Sequence, residues 1–157
     1  VGQNNINFIL YKFRSMRNDV GDVPTHLVKD SSRLISKTGV FIRKYSLDEL
    51  PQIFNIIKGD LLFVGPRPAL YNQKDLIQIR TENMVHKTMP GVTGWAQING
   101  RDELLIVDKA KLDGYYTEHK STWLDLKCIF FTAFSVFKKD GVVEGGTGSL
   151  GNKEGLK

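Results

Sequence analysis

Apolar residues along this chain fall into a few clear patterns. Leu47, Leu50, Ile53, Phe54 and Ile57 recur three and four apart, the spacing that places side chains on one face of a helix. Ser46-Leu47-Asp48-Glu49, at the head of this run, has the form of a capping box: the serine caps the first turn and the glutamate reaches back. Gly59 is placed to end the helix. Pro51 lies inside it, where its ring clashes with the carbonyl four residues earlier, so the first turn is expected to be distorted. Asn72 to Lys87 and Leu104 to His119 also read as helices. Ser121 to Lys139 is the most apolar stretch, carrying Trp123, Leu124, Leu126, Cys128, Ile129, Phe130, Phe131, Phe134 and Phe137. It admits two readings: a core helix, or an amphipathic helix in a membrane interface with aromatics inward and lysines at the headgroups.

Strand signals are fewer. Phe8 to Phe13 reads F-I-L-Y-K-F and predicts a strand, one arm of a small N-terminal β-hairpin. Leu61 to Val64 is a short apolar run that feeds the stiff turn Gly65-Pro66-Arg67-Pro68. Arg17 to Lys37 reads as a loop with room for one short helix, and Pro90 to Gly94 as a loop. From Asp140 the glycines predict a flexible tail. The expectation is an α+β fold: a helix-rich single domain over residues 1–139, with the N-terminal hairpin and the interface helix, then a Gly-rich tail over 140–157.

Composition adds limits. At 157 residues, with 41% hydrophobic and 25% charged residues, the chain suits one globular domain. Such a chain buries roughly two-thirds of its unfolded surface, so a real core is expected. The net charge of +5 favours anionic partners: nucleotide-sugars, lipid phosphates, membrane surfaces or nucleic acid. The single cysteine, Cys128, excludes an intramolecular disulfide and reads as a small buried hydrophobe. The chain opens Val1-Gly2-Gln3 without an initiator methionine, and so reads as a fragment. No run reaches the ~18 apolar residues of a spanning helix.

Four clusters carry candidate chemistry. Asp48-Glu49, beside Arg43 and Lys44, supplies two adjacent carboxylates able to hold a divalent cation or furnish a nucleophile; helix capping is the plainer reading. In Gly65-Pro66-Arg67-Pro68, two prolines stiffen the chain around one arginine, which suits a two-pronged grip on phosphate and equally suits a rigid surface turn. Pro90 to Arg101 has glycines that allow close backbone approach to a ligand, with Trp95, Gln97, Asn99 and Arg101 for stacking and polar contact; a loop packed on the core is the alternative. Lys109, Asp113 and Tyr116 are spaced to share a helix face, as on any salt-bridged surface helix. His26, His86 and His119 have no metal-ligand spacing, and neither G-x-x-x-x-G-K-[ST] nor G-x-G-x-x-G occurs.

Taken in order, Tyr11 to Met16, Ile42 to Asn55, Lys58-Gly59-Asp60, Val64 to Pro68 and Pro90 to Arg101 resemble one family closely: the bacterial sugar transferases, monotopic polyprenyl-phosphate hexose-1-phosphate transferases. The resemblance covers Tyr11 to about Lys139 and makes residues 1–139 a phosphoglycosyl transferase catalytic domain. It implies that Asp48 is the nucleophile, attacking the sugar-bound phosphate of a UDP-sugar and expelling UMP. The phosphosugar then passes to polyprenyl (undecaprenyl) phosphate, as the first membrane step of capsule, exopolysaccharide or O-antigen synthesis. Glu49 assists by holding Mg²⁺ with Asp48 or by handling a proton. Arg43, Arg67 and Arg101 contact substrate phosphate, and Asp113 is a further acidic residue of the site. The implied location is the cytoplasmic face of the bacterial inner membrane, peripheral or monotopic, with no nucleic-acid partner. In that family a hydrophobic re-entrant hairpin precedes the segment that starts here, and this sequence does not include it.

Two other functions make different predictions. A glycosyltransferase forming a glycosidic bond releases UDP. A basic anion- or lipid-binding module without catalysis shows steep salt dependence and is indifferent to Asp48.

Overall fold

The computed structural model describes residues 1–15, 35–100 and 104–138. Six α-helices occur among these residues: α1 (Lys37–Lys44), α2 (Ile53–Lys58), α3 (Lys74–Glu82), α4 (Trp95–Ile98), α5 (Ile106–His119) and α6 (Thr122–Lys138). Short 3₁₀ turns lie at Gln3–Asn5, Leu47–Gln52 and Val85–Lys87. Two three-residue strands, β1 (Leu62–Val64) and β2 (Gly91–Thr93), pair in parallel, with Leu62 opposite Gly91 and Val64 opposite Thr93.

The expected hairpin at the N-terminus is therefore replaced by a parallel pair from the middle of the chain. Phe8 to Phe13 is not a strand, because its backbone bonds to side chains and turns instead of a ladder. The Tyr11 N–H donates to Asn55 Oδ1 (3.0 Å), the Ile9 carbonyl accepts from Asn55 Nδ2 (2.7 Å), and the Phe13 N–H donates to the Asp48 carbonyl (2.9 Å). One buried asparagine thus does the work that a partner strand would do. Pro90 to Gly94, expected as a loop, holds β2. Glycine makes this possible: a Cβ on Gly91 would lie 2.1 Å from the Gly65 nitrogen, and one on Gly94 2.1 Å from the Gly65 carbonyl oxygen. The glycines serve an approach of backbone to backbone.

The capping box does not form. Ser46 sits in the left-handed region at φ 54° and makes no side-chain cap, while Glu49 turns elsewhere. The distortion expected from Pro51 is present: Leu47–Gln52 winds as 3₁₀ and only then continues as α2. Gly59 ends that helix in the left-handed conformation, φ 82°. Asn72 to Lys87 is split, since Met84 adopts φ 59° between α3 and the Val85–Lys87 turn. The regions 16–34 and 139–157, which include most of the predicted loop and the predicted tail, lie outside the described residues, as does Arg101.

Two small cores hold the elements together. Val64, Tyr116, Leu124 and Cys128 form one, flanked by Trp95 and Ile98; Ala69, Leu76 and Ala110 form the other. Cys128 is fully buried as expected, and burial pushes its thiol up to about 11. Tyr116 ties β1 to α6: its hydroxyl sits 3.2 Å from the Val64 carbonyl and donates to Asp125 Oδ1 at 2.7 Å.

The helical stripe over 47–57 faces outward. Leu50, Phe54 and Ile57 are 59–75% exposed, whereas Gln52 and Asn55 between them are buried. Helix α6 likewise buries Leu124 and Cys128 and exposes Trp123, Leu126, Phe130, Phe131 and Phe134. No helix among the described residues is long and apolar enough to cross a membrane.

Candidate active site

The Asp48-Glu49 pair lies on the 3₁₀ turn that Ser46 opens and Pro51 tightens. Two segments distant in sequence are brought to it. The first is the N-terminal stretch, anchored by Asn55 and by the Phe13–Asp48 backbone bond; this delivers Lys12, whose Nζ lies 3.0 Å from Glu49 Oε1. The second is the Gly65-Pro66-Arg67-Pro68 turn at the end of β1. Its start is pinned by Gly65 N–H donating to the Thr93 carbonyl (2.8 Å) and Gly91 N–H donating to the Pro66 carbonyl (3.0 Å). Arg67 extends its guanidinium to Glu49 with both terminal nitrogens, Nη1 at 3.3 Å from Oε2 and Nη2 on Oε1. Two parallel donors on one carboxylate fix orientation as well as charge.

The electrostatics of the two neighbouring carboxylates diverge. Burial pushes Glu49 up, but the charge and hydrogen bonds of Arg67, with Lys12 behind them, overcome this and bring it down to about 2. Asp48 moves the other way: partial burial raises it, the Glu49 charge adds to the rise, and Lys12 and Arg43 act against it. Two adjacent acids pushed apart by their surroundings suit different roles. Glu49 is held as an anion in an ion-pair network, while no ion pair engages the Asp48 carboxylate among the described residues.

Arg43, at the end of α1, donates from Nε to Ser15 Oγ at 2.6 Å. Helix α1 is started by Ser36, whose Oγ accepts from the Gly39 N–H at 2.9 Å. A Cβ on Gly39 would meet the Ser15 carbonyl at 2.1 Å, so glycine there lets the helix close on the N-terminal segment. Asp113 is in a different place from the other predicted residues. It is 1% exposed on α5, and its Oδ2 accepts from Arg80 Nε (2.9 Å) and Nη2. Arg80 Nη1 in turn donates to the Arg67 carbonyl at 2.8 Å. The structure therefore joins Glu49 and Arg67 directly, with Asp48 beside Glu49 on the same turn, and connects Asp113 to them through Arg80 and the main chain.

Mg²⁺ in phosphoryl-transfer sites is held by one or two carboxylates together with substrate phosphates. Asp48 fits that use as it stands, whereas Glu49 fits it only by releasing Arg67 or Lys12, which hold both of its oxygens. No group of three or more His, Cys, Asp or Glu side chains gathers among the described residues, so the fit depends on the substrate completing the coordination.

Lys12, Ser15, Asn55 and Arg80 are residues of this network to which the sequence pattern assigns no role. Lys12 is 37 positions from Glu49 and Arg80 is 33 from Asp113, and no periodicity links residues so far apart.

Residues 1–139 match the family described as bacterial sugar transferase. The sugar transferase EpsL of Bacillus subtilis (strain 168) is 46% identical over 137 residues, which cover 86% of this chain and 65% of that protein. Undecaprenyl-phosphate glucose phosphotransferase of Komagataeibacter xylinus is 41% identical over 144 residues, covering 83% of this chain and 27% of the relative. UDP-glucose:undecaprenyl-phosphate glucose-1-phosphate transferase of Escherichia coli (strain K12) is 40% identical over 136 residues, 82% of this chain and 29% of the relative. The chain thus spans less than two thirds of each of these proteins. The matched region contains Arg43, Asp48, Glu49, Arg67 and Asp113 together, and this chain belongs to the bacterial sugar transferase family.

Proposed function

We propose that this chain carries the catalytic site for transfer of a sugar-1-phosphate from a UDP-sugar to undecaprenyl phosphate. A carboxylate oxygen of Asp48 attacks the phosphorus that bears the sugar. The bond from that phosphorus to the bridging oxygen breaks, and UMP leaves with the bridging oxygen. An oxygen of the polyprenyl phosphate then attacks the same phosphorus, breaks its bond to Asp48, and yields the polyprenyl diphosphosugar with the carboxylate restored. Two single displacements replace one direct attack between two crowded anions.

The observation that carries this reading is the contrast between the two acids: Asp48 is outside any ion pair among the described residues, beside a Glu49 locked by Arg67 and Lys12. Partial burial gives Asp48 a carboxylate less masked by water than an exposed one, while Lys12, Arg43 and Arg67 offer positive charge for the phosphates. Mg²⁺ held by Asp48, and by Glu49 once its contact with Arg67 or Lys12 is released, would supply further neutralisation of phosphate charge. The exposed apolar residues Leu50, Phe54 and Ile57, and those of α6, support residence on a membrane surface, which this reading takes to be the cytoplasmic face of the inner membrane. The names of the relatives support the acceptor and the glucose-type donors.

The test is intact mass of the chain after incubation with Mg²⁺ and a panel of UDP-sugars, without lipid. A gain of one sugar-phosphate, lost in Asp48→Asn, is the expected result. Full adduct formation in Asp48→Asn would remove the nucleophile from Asp48. UDP in place of UMP among the products would convert the reading to glycosidic transfer.

A further inference from the structure

The Arg80–Asp113 pair is costly to bury. Arg80 is 8% exposed and Asp113 1%, and a buried pair of this kind seldom stabilises a fold more than packed apolar residues of the same size would. What the pair supplies is geometry. Arg80 stands on α3, Asp113 on α5, and the guanidinium spends two donors on Asp113 Oδ2 and a third, Nη1, on the Arg67 carbonyl at 2.8 Å. The preceding residues of the turn are already fixed to β2 through Gly65 and Pro66, and Pro68 restricts the residue before it. The Arg67 carbonyl is the point at which the helical half of the domain takes hold of the same turn.

We infer that Arg80 and Asp113 form a positioning pair, which clamps the Arg67 main chain so that the Arg67 side chain is held on the Asp48-Glu49 turn. The inference rests on the reading of Arg67 as a phosphate-gripping residue only for its catalytic consequence; the clamp itself is a claim about geometry. It gives Arg80 a role that the sequence pattern does not suggest, and it sets Asp113 behind the phosphates, with Arg80 and Arg67 between, instead of on them. A fork of donors is required, because one group must reach Asp113 and the Arg67 carbonyl at once. A lysine in place of Arg80 keeps the charge and can keep Asp113, but a single ammonium cannot span both acceptors in that geometry.

The experiment is Arg80→Lys in the full chain, with two readouts. The first is the Arg67 guanidinium itself, followed by nitrogen NMR of labelled arginine and assigned with Arg67→Ala. In the parent chain both of its terminal nitrogens lie on Glu49, which slows exchange of their protons. In Arg80→Lys the Arg67 signals move toward those of a solvated guanidinium and exchange faster. Because lysine keeps the charge at position 80, the change cannot come from a changed long-range field. The second readout is the rate of covalent sugar-phosphate capture, which falls in Arg80→Lys and shows no further fall when the same change is made in an Arg67→Ala background. Unmoved Arg67 signals in a folded Arg80→Lys chain overturn the clamp. So does an Arg80→Lys effect of full size on the Arg67→Ala background. Arg67 signals that move while capture is unchanged uphold the clamp and remove Arg67 from the phosphate chemistry. If Arg80→Lys does not fold, the double change Arg80→Met with Asp113→Leu removes the pair without leaving a lone buried charge, and the same two readouts apply.

Discussion

Acid should weaken this domain through Glu49, and the effect can be sized. The folded Glu49 carboxyl lies near 2 and the unperturbed value is 4.5. A depressed acid adds stability that is complete above its unfolded value and lost as pH falls through its folded value. The window is therefore about pH 4.5 down to 2. At 1.36 kcal/mol per unit the depression corresponds to about 3 kcal/mol. The Glu49 side chain is only 17% exposed, but Arg67 and Lys12 are 38% and 36% exposed, so water screens part of the attraction and about 1–2 kcal/mol is the expected size. The perturbation is Glu49→Gln, compared with the parent chain by urea unfolding at pH 7, 5, 4 and 3. Above pH 5 the variant should be the less stable by that amount, and the gap should shrink as pH falls toward 3. Asp48 works in the opposite sense: its raised carboxyl costs stability when ionised, and protonation on acidification returns it. That contribution is present in both chains, although it is smaller in the variant, where the Glu49 charge no longer raises Asp48. A gap that stays constant from pH 7 to pH 3 would refute the argument that the Arg67–Glu49 pair is held in the folded state.

Gly91→Ala should break the β1–β2 pairing, because its Cβ would lie 2.1 Å from the Gly65 nitrogen and 2.5 Å from the Val64 carbonyl carbon, backbone atoms that cannot move independently; a loss of about 3 kcal/mol or more is expected, and a thermal melt unchanged from the parent would disprove the close approach. Asn55→Ala removes the acceptor for Tyr11 N–H and donors to Ile9 and Asp60, all around a fully buried side chain. It should cost about 2–4 kcal/mol and speed amide exchange at Tyr11, and protection at Tyr11 equal to the parent's would show that the N-terminal segment is held by something else.

The helices were legible in the sequence wherever apolar spacing was long or punctuation strong. Ile106–His119 and Thr122–Lys138 fall inside the stretches that periodicity marked, Gly59 stops α2, and the ring of Pro51 forces the 3₁₀ turn, because each of these effects acts over four residues or fewer. The site was legible as residue types: Asp48, Glu49 and Arg67 stand out as adjacent carboxylates and an arginine between prolines. Their partners were not. Glu49 had two candidate uses, capping Ser46 or binding Arg67 and Lys12, and local pattern favours the first. The fold chooses the second because β1 and β2 bring the Arg67 turn across, and a charged pair outweighs a single cap. The Phe8–Phe13 strand failed for a related reason, since strand propensity cannot anticipate that a buried asparagine will satisfy the backbone. Which side of an apolar stripe meets water was equally hidden: Leu50, Phe54 and Ile57 have core-like spacing and face outward, while Asn55 takes the interior. Sequence by itself determined the two long helices, the stop at Gly59 and the distortion at Pro51, because these depend on neighbours along the chain, whereas the short helices Lys37–Lys44 and Trp95–Ile98 carry no such signal. Tertiary structure alone decided that Arg80 and Asp113 meet behind Arg67, that three glycine backbones touch, and which acid is paired, because those contacts join residues dozens of positions apart and follow from packing.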